Sequence, residues 1–207
     1  MLRNFPPGLK AVLAFMFFYP VVISAQPADT WTIKAAKIDP SNYYGITVAN
    51  GMIGIVSSPE PFKVKDVVLA GAYDLYGRGR VSNFLRSFNL LNMYLDIDGR
   101  RVDAAAVSNM HQVLDMKGAG FTTSFDFGDK ATVSYTYYSL RHLPYTVLMD
   151  VTLKAKKDIS ISAASVMEAP DAIRDVQNYY NEIDRPHVVI SLLTSSAKSP
   201  TGKLLMC

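Results

Sequence analysis

Residues 106–140, AVSNMHQVLDMKGAGFTTSFDFGDKATVSYTYYSL, alternate apolar and polar side chains and carry glycines where the alternation breaks. A period of two residues is typical of a β-strand that buries one of its faces. The stretch therefore predicts three strands, with turns at Gly118 to Gly120 and at Gly128-Asp129. The tyrosines of VSYTYY alternate within one strand, which places them in the core or on a sheet surface.

The same period continues on both sides of this stretch. Asn50-Gly51 predicts a type I′ hairpin turn, and residues 66–74, DVVLAGAYD, predict a buried apolar strand. Residues 88–103, FNLLNMYLDIDGRRVD, predict a hairpin that turns at Asp98-Gly99. Roughly ten short strands that follow one another along the chain, separated by turns, indicate an all-β fold, an antiparallel sandwich or barrel.

One segment interrupts the strand pattern. Residues 168–186, EAPDAIRDVQNYYNEIDRP, are rich in polar groups and bounded by prolines. We expect a long loop there with one helical turn, and long loops in compact domains are often functional.

The N-terminal residues have the composition of a secretory signal peptide. Arg3 and Lys10 form a basic region, residues 11–25 form an apolar run of 15 residues, and small residues precede Gln26. Pro20 interrupts the run, which is also shorter than the about 20 apolar residues of a membrane-spanning helix. We therefore expect cleavage near Ala25, a mature domain of residues 26–207 in the periplasm or outside the cell, and no remaining membrane anchor.

The charge of the chain limits the classes of partner, and its cysteine content indicates what stabilises the domain. The whole chain has a net charge of +3, and removal of residues 1–25 leaves 19 basic and 18 acidic residues, a net charge of +1. No basic block is present, which argues against a nucleic-acid partner. The one cysteine is Cys207, so the domain is expected to depend on its core and not on an intrachain disulfide.

No catalytic or metal-binding pattern emerges from the residue spacing. Residues 96–99, Asp-Ile-Asp-Gly, resemble the start of a calcium loop, but Arg100 and Arg101 occupy the following ligand positions. The three histidines are far apart, and no pair of carboxylates sits in the context of a pocket. We predict no catalytic residue, no metal site and no cofactor.

Aromatic side chains beside planar polar groups are the remaining candidate site. Such a mixture binds neutral sugars through ring faces and through hydrogen bonds to hydroxyls. A structural role at the rim of the sandwich is equally compatible with the sequence. The candidate substrate-adjacent residues are Tyr73, Asp74, Arg78, Arg174, Asn178, Tyr179 and Tyr180.

Five short motifs occur in a fixed order along the chain. They are Asn-Gly-x-x-Gly at 50–54, Ala-Gly-x-Tyr-Asp at 70–74, Ile-Asp-Gly at 97–99, Leu-Asp-Met-Lys-Gly at 114–118 and Tyr-Ser-Leu at 138–140. Together they resemble the N-terminal domain of glycoside hydrolase family 65, over about residues 45–195. The family includes maltose, kojibiose and trehalose phosphorylases and trehalase-like hydrolases. Val56-Ser57-Ser58 departs from the family, which usually has Arg-Gly there.

The resemblance implies an antiparallel β-supersandwich of the galactose-mutarotase type, followed by an (α/α) barrel that carries the catalytic glutamate. We expect this chain to be an incomplete domain without catalytic residues, from an exported enzyme acting on a neutral α-linked glucosaccharide. Hydrolysis is favoured over phosphorolysis because phosphorolysis conserves a sugar phosphate for the cytoplasm. In this family the domain can also mediate dimer contacts, so a homodimer remains open. The alternatives are a stand-alone carbohydrate-binding module and a structural sandwich.

Overall fold

The computed structural model describes residues 30–77 and 81–206, and it is built almost wholly from antiparallel strands. The predicted signal peptide, Arg78 and Cys207 lie outside these residues. In the described part no helix is long and apolar enough to cross a membrane. The elements in chain order are β1 (Thr32–Ala35), a 3₁₀ turn (Pro40–Asn42), β2 (Thr47–Ala49), β3 (Ile53–Ser57), β4 (Val64–Leu75), β5 (Ser82–Arg86), β6 (Asn89–Ile97), β7 (Arg100–Arg101), β8 (Ser108–Asp115), β9 (Gly120–Phe127), β10 (Ala131–Ser139), β11 (Val147–Ala155), β12 (Ile161–Glu168), β13 (Arg174–Arg185), β14 (Val188–Lys198) and β15 (Leu204–Met206).

The strands form four antiparallel sheets. The largest has the order β1-β8-β9-β10-β11, and a second has the order β2-β3-β4-β5. The other two are three-stranded, with the orders β12-β6-β7 and β13-β14-β15. The chain crosses from the five-stranded sheet to the β6 sheet between β11 and β12, because those two strands do not pair with each other. The predicted all-β antiparallel sandwich is confirmed.

The core lies between the five-stranded sheet and the strands around β3, β4 and β6. On β10 the buried positions are every second residue, and β9 follows the same alternation, as the sequence predicted. Tyr135 and Tyr137 are fully buried on β10, so the tyrosine alternation does mark a core strand. The buried apolar residues from both layers form one cluster: Val48, Ile53, Ile55, Phe62, Val64, Val67, Leu95, Ile97, Val102, Phe121, Phe125, Phe127, Ala131, Val133, Tyr135 and Tyr137.

Phe62 occupies the centre of this cluster with an unusual backbone. Its φ is +60°, in the left-handed region that bulky residues rarely adopt. Its ring, fully buried, stacks on Tyr135 with centroids 4.6 Å apart and meets Phe125 edge-on at 5.9 Å. Its N–H donates to the Tyr135 hydroxyl at 3.0 Å, and its carbonyl accepts from Met93 N at 3.1 Å. Both layers of the sandwich therefore hold this one residue in place.

Two predicted turns behave differently. Asp98 and Gly99 both have positive φ, which is the type I′ geometry expected there. At the β2–β3 turn only Gly51 has positive φ, so the predicted type I′ geometry is wrong, although the hairpin itself is present. The reason is that Asn50 folds its side chain over the turn: its Oδ1 accepts from Met52 N and Ile53 N, and its Nδ2 donates to Leu140 O.

The predicted loop at 168–186 is wrong. Only residues 169–173 and Pro186 lie outside strands, and Arg174–Arg185 forms β13, which pairs with β14 apart from a register shift between Arg174 and Gln177. The segment is polar because β13 is exposed throughout, and it is a strand because the apolar β14 supplies its backbone partner. The predicted buried strand at 66–74 is also only partly right, since β4 is half-buried or exposed from Val68 to Tyr73 and fully buried again at Asp74.

We predict that Phe62→Ala lowers the free energy of unfolding by about 3–5 kcal/mol, because it opens a cavity between the two layers. Tyr44→Ala, at a side chain that is 88% exposed, should change it by less than about 0.5 kcal/mol. Urea denaturation of both variants measures the difference.

The positive φ of residue 62 gives a second comparison. Glycine adopts this conformation freely, whereas alanine does not. Phe62→Gly should therefore be no less stable than Phe62→Ala, the reverse of the usual order inside a strand or helix. A markedly less stable glycine variant would contradict a strained backbone at this position.

Candidate functional site

The predicted site residues at the end of β4 lie on opposite sides of the strand. Tyr73 is 45% exposed and pairs across strands with Phe84, with ring centroids 4.8 Å apart. Asp74, the next residue, is completely buried. Only Tyr73 of this pair presents a surface that a ligand could reach.

The carboxylate oxygens of Asp74 accept hydrogen bonds from the β14–β15 turn and from the neighbouring Leu75. Its Oδ2 accepts from Thr201 N at 2.9 Å, and its Oδ1 accepts from Thr201 Oγ1 at 2.5 Å and from Leu75 N at 2.8 Å. Lys203 Nζ lies 3.7 Å away. Hydrogen bonds from Ser199 and Thr201 hold the pKa of the Asp74 carboxyl well below its usual range. We call Asp74, Ser199, Thr201 and Lys203 the Asp74 latch, because they tie β4 to a turn 127 residues away.

Four of the other predicted residues, Arg174, Asn178, Tyr179 and Tyr180, lie on β13 of a long two-stranded hairpin, β13 and β14, which we call the arm. Side chains alternate across a strand, so Tyr179 and Tyr180 face opposite sides of the arm. Tyr179 donates its hydroxyl hydrogen to Gln177 Oε1 at 2.7 Å, and the Tyr180 hydroxyl lies 2.9 Å from Ser191 Oγ. Asn178 Oδ1 accepts from Ser195 Oγ. Each of these groups is bound within the arm.

The seven predicted residues do not form one cluster. Arg174 pairs with Lys198 at the base of the arm, close to the Asp74 latch. Tyr180 lies six residues further along the strand, about 20 Å away at the usual rise per residue. Arg78 is outside the described residues. A role for these residues beside a sugar stays a prediction.

Both faces of the arm carry exposed apolar side chains, which the sequence analysis did not identify. The register aligns Tyr180 with Leu193 and Asp184 with Val189 on one face, and Ile183 with Ile190 on the other. All the apolar members of these pairs are exposed. The apolar run VVISLL at the start of β14 could have indicated this surface. A nearly continuous apolar stretch is typical of a strand that is covered on both faces, so such a strand that is exposed has two apolar faces to cover.

An apolar groove of about 640 Å³ opens beside β4. Its walls are the Ala70-Gly71-Ala72 backbone of β4, the β5–β6 connection, Tyr145 and the end of β15. Gly71 has a φ of +88°, and the pairing of β4 with β5 shifts register between Val68 and Tyr73. β4 therefore bulges between Val68 and Tyr73, where it lines the groove.

The described residues offer no metal centre. Within residues 30–77 and 81–206, no three His, Cys, Asp or Glu side chains are placed to hold a metal ion. Ser57, at the position that departs from the family 65 pattern, is buried, and its Oγ accepts from Ile46 N at 2.7 Å and lies 2.6 Å from Tyr43 OH. Ser57 therefore has a structural role at the end of β3.

Comparison with known proteins gives the family. No protein-family model matches the chain. A kojibiose hydrolase of Mucilaginibacter mallensis is 67% identical over 200 residues, which is 97% of this chain. A kojibiose hydrolase of Flavobacterium johnsoniae is 48% identical over 197 residues, 94% of the chain. The resemblance to the N-terminal domain of glycoside hydrolase family 65 is confirmed.

The match is to one part of those enzymes. In both cases it covers 29% of the relative, so the chain spans less than a third of the length of the curated relatives it matches. Because the match takes in 97% of this chain, it includes the arm.

We predict that Asp74→Asn lowers the melting temperature by several degrees, because an amide cannot accept all the hydrogen bonds that converge on the carboxylate. The pKa of Asp74 is lower in the folded chain than in the unfolded chain. Its contribution to stability is therefore present above the unfolded pKa and is lost as the pH falls through the folded pKa.

The variant should consequently lose less stability than the wild type when the pH is lowered from about 5 to about 3, measured by urea denaturation at each pH. Asp184→Asn, at an exposed carboxylate on the arm, is the matched control and should follow the wild type. Parallel pH profiles for all three proteins would show that the Asp74 latch does not contribute as described.

Proposed function

We propose that this chain is the non-catalytic N-terminal β-sandwich of an exported glycoside hydrolase of family 65 type that acts on an α-glucoside. The observation that carries the proposal is the match of nearly the whole chain, at 67% identity, to a kojibiose hydrolase that is about three times as long. Kojibiose, a disaccharide of glucose, is accordingly the first substrate to test.

The state of the carboxylates supports a non-catalytic role. A glycosidase needs a carboxylic acid with a raised pKa that keeps its proton until it reaches the leaving group. Among the described residues, every carboxyl group with a shifted pKa is shifted downward: Asp39, Asp74, Asp98, Asp126, Asp129 and Asp175. The causes are hydrogen bonds and lysines. Asp126, for example, accepts from Asn109, Thr132 and Lys156.

The arm and the apolar groove supply surfaces on which a catalytic region can rest. Monomeric soluble proteins rarely expose large apolar patches, yet the arm is exposed on both faces at Ile183, Val189, Ile190 and Leu193. In this proposal the remaining part of the longer enzyme covers these faces, and the sandwich supports the sugar site without providing its chemistry.

Export favours water as the acceptor. The N-terminal residues have the pattern of a signal peptide, and an enzyme in the periplasm or outside the cell cannot return a sugar phosphate directly to cytoplasmic metabolism. We therefore assign hydrolysis and not phosphorolysis to the longer enzyme.

The longer enzyme should release glucose from kojibiose in buffer without phosphate, and added phosphate should produce no glucose 1-phosphate. Chromatography of the products with and without phosphate measures both. This chain alone is the control and should release no glucose. A strict requirement for phosphate would contradict hydrolysis, and glucose release by the chain alone would contradict a non-catalytic domain.

The chain alone should associate through the arm. Light scattering should show dimers or larger species at micromolar concentration, and Leu193→Lys, which places a charge in the apolar row, should reduce their size. Leu143→Lys, in the β10–β11 connection and similarly exposed, is the matched control. A monomeric wild-type chain, or equal effects of the two substitutions, would contradict an interaction surface on the arm.

A further inference from the structure

We propose that a polar pocket between β4, β5, β6 and the end of β12 binds one hexose unit of a neutral saccharide. The pocket has a volume of about 200 Å³ and is lined by Asp66, Tyr76, Arg86, Asn89, Glu168 and the turn at 169–172. The inference rests on the proposed function, because it places a saccharide-binding site on the sandwich, separate from the catalytic residues in the rest of the longer enzyme. We call this cavity the polar pocket.

Asp66 and Arg86 give the pocket unused hydrogen-bonding capacity. Arg86 Nε lies 3.1 Å from Asp66 Oδ1. That oxygen is buried, yet no donor among the described residues approaches it with hydrogen-bond geometry. The Arg86 side chain is largely exposed and forms no other ion pair within residues 30–77 and 81–206. A buried acceptor without a hydrogen bond, next to a largely exposed guanidinium, matches the paired donor and acceptor character of sugar hydroxyls.

The opposite wall is polar and fixed in position. Glu168 Oε2 accepts from Asn92 Nδ2 at 2.9 Å, while its Oε1 has only Lys63 Nζ, 3.7 Å away. Asn89 is buried, donates to Val64 O and accepts from Leu91 N. Its amide is therefore held by backbone on both sides, and the Glu168 carboxylate keeps one oxygen available to a ligand.

Tyr76 supplies an aromatic face. Its ring is about half exposed, and no described residue forms a hydrogen bond with its hydroxyl. A ring face beside planar polar groups is the combination that receives the C–H side of a pyranose while its hydroxyls are hydrogen-bonded.

The charges around the pocket select a neutral ligand. Lys65 and Arg86 line the pocket with three carboxylates, Asp66, Glu168 and Asp171, and Lys63 lies beside Glu168, so the positive and negative charges balance. A phosphate or other anion would therefore gain no net attraction. No group of three metal ligands is present among the described residues, so a bound cation has no cage there either.

The turn at 169–172 is held rigidly enough to keep the shape of the pocket. The residue that follows it, Ile173, is buried with Phe88 and Ala197 in a second small apolar cluster. Ile173 N also donates to Pro170 O at 2.9 Å, which closes the turn. A preformed pocket avoids the ordering cost that a mobile site would add to binding.

Titration of the chain with kojibiose, trehalose and maltose, followed by NMR chemical shifts, tests the proposal. We expect saturable shifts with at least one of these sugars at concentrations up to about 10 mM, as for a weak millimolar site. Tyr76→Phe, which removes one hydroxyl from an exposed side chain, should weaken binding about fivefold. Arg86→Lys should weaken it about tenfold, because an ammonium group cannot replace the planar guanidinium.

Tyr44→Phe is the matched control, since Tyr44 is an exposed tyrosine that does not line the polar pocket. Absence of saturable shifts, equal effects of Tyr44→Phe and Tyr76→Phe, or displacement of the sugar by inorganic phosphate would each overturn the proposal. Failure here is separable from failure of the proposed function. Glucose release by the longer enzyme without sugar binding at the polar pocket would remove only the pocket, and sugar binding without glucose release would remove only the assigned reaction.

Discussion

The packing of Phe62 against Tyr135 and Phe125 is the contact on which the sandwich depends. These three rings come from the two layers that enclose the core, and the backbone of Phe62 is bonded to both: its N–H to Tyr135 and its carbonyl to Met93. A left-handed phenylalanine costs of order 1–3 kcal/mol in backbone strain. At Phe62 the burial of the ring and the two backbone hydrogen bonds offset that cost, and the residue thereby joins the two layers.

Outside the main core the described residues are held by a small second cluster and by specific polar contacts. The second apolar cluster has only three buried members, Phe88, Ile173 and Ala197. The Asp74 latch adds a buried carboxylate whose acceptors are filled by the β14–β15 turn. Polar contacts of this kind fix the position of the arm base with little apolar burial, which leaves the apolar faces of the arm uncovered.

Features that depend on neighbouring residues in the sequence could be predicted, whereas features that depend on residues far along the chain could not. Strands β9 and β10 were predictable because each buries alternate residues, and the Asp98-Gly99 turn was predictable because its two positive φ values suit those residue types. The burial of Asp74 was not, since its partner Thr201 is 127 residues away and nothing near Asp74 marks the contact. β13 was missed for the same reason: its own residues look like a loop, and its pairing with β14 makes it a strand. The family motifs marked turns and strand ends, and therefore identified the fold and not a site.

The polar pocket and the arm are parts of one continuous segment. β12 ends at Glu168, which lines the pocket, the turn at 169–172 forms its wall, and β13 begins the arm at Arg174. Ile173, between wall and arm, is anchored in the second cluster, and Ala197 returns to the same cluster from β14. A protein region that covers the arm is therefore held at a constant position relative to the polar pocket, because the segment that joins arm and pocket is short and Ile173 within it is buried. A sandwich that both binds a neutral sugar and supports a catalytic region needs such a rigid link, because the bound sugar can assist the reaction only if its distance from the catalytic groups is constant.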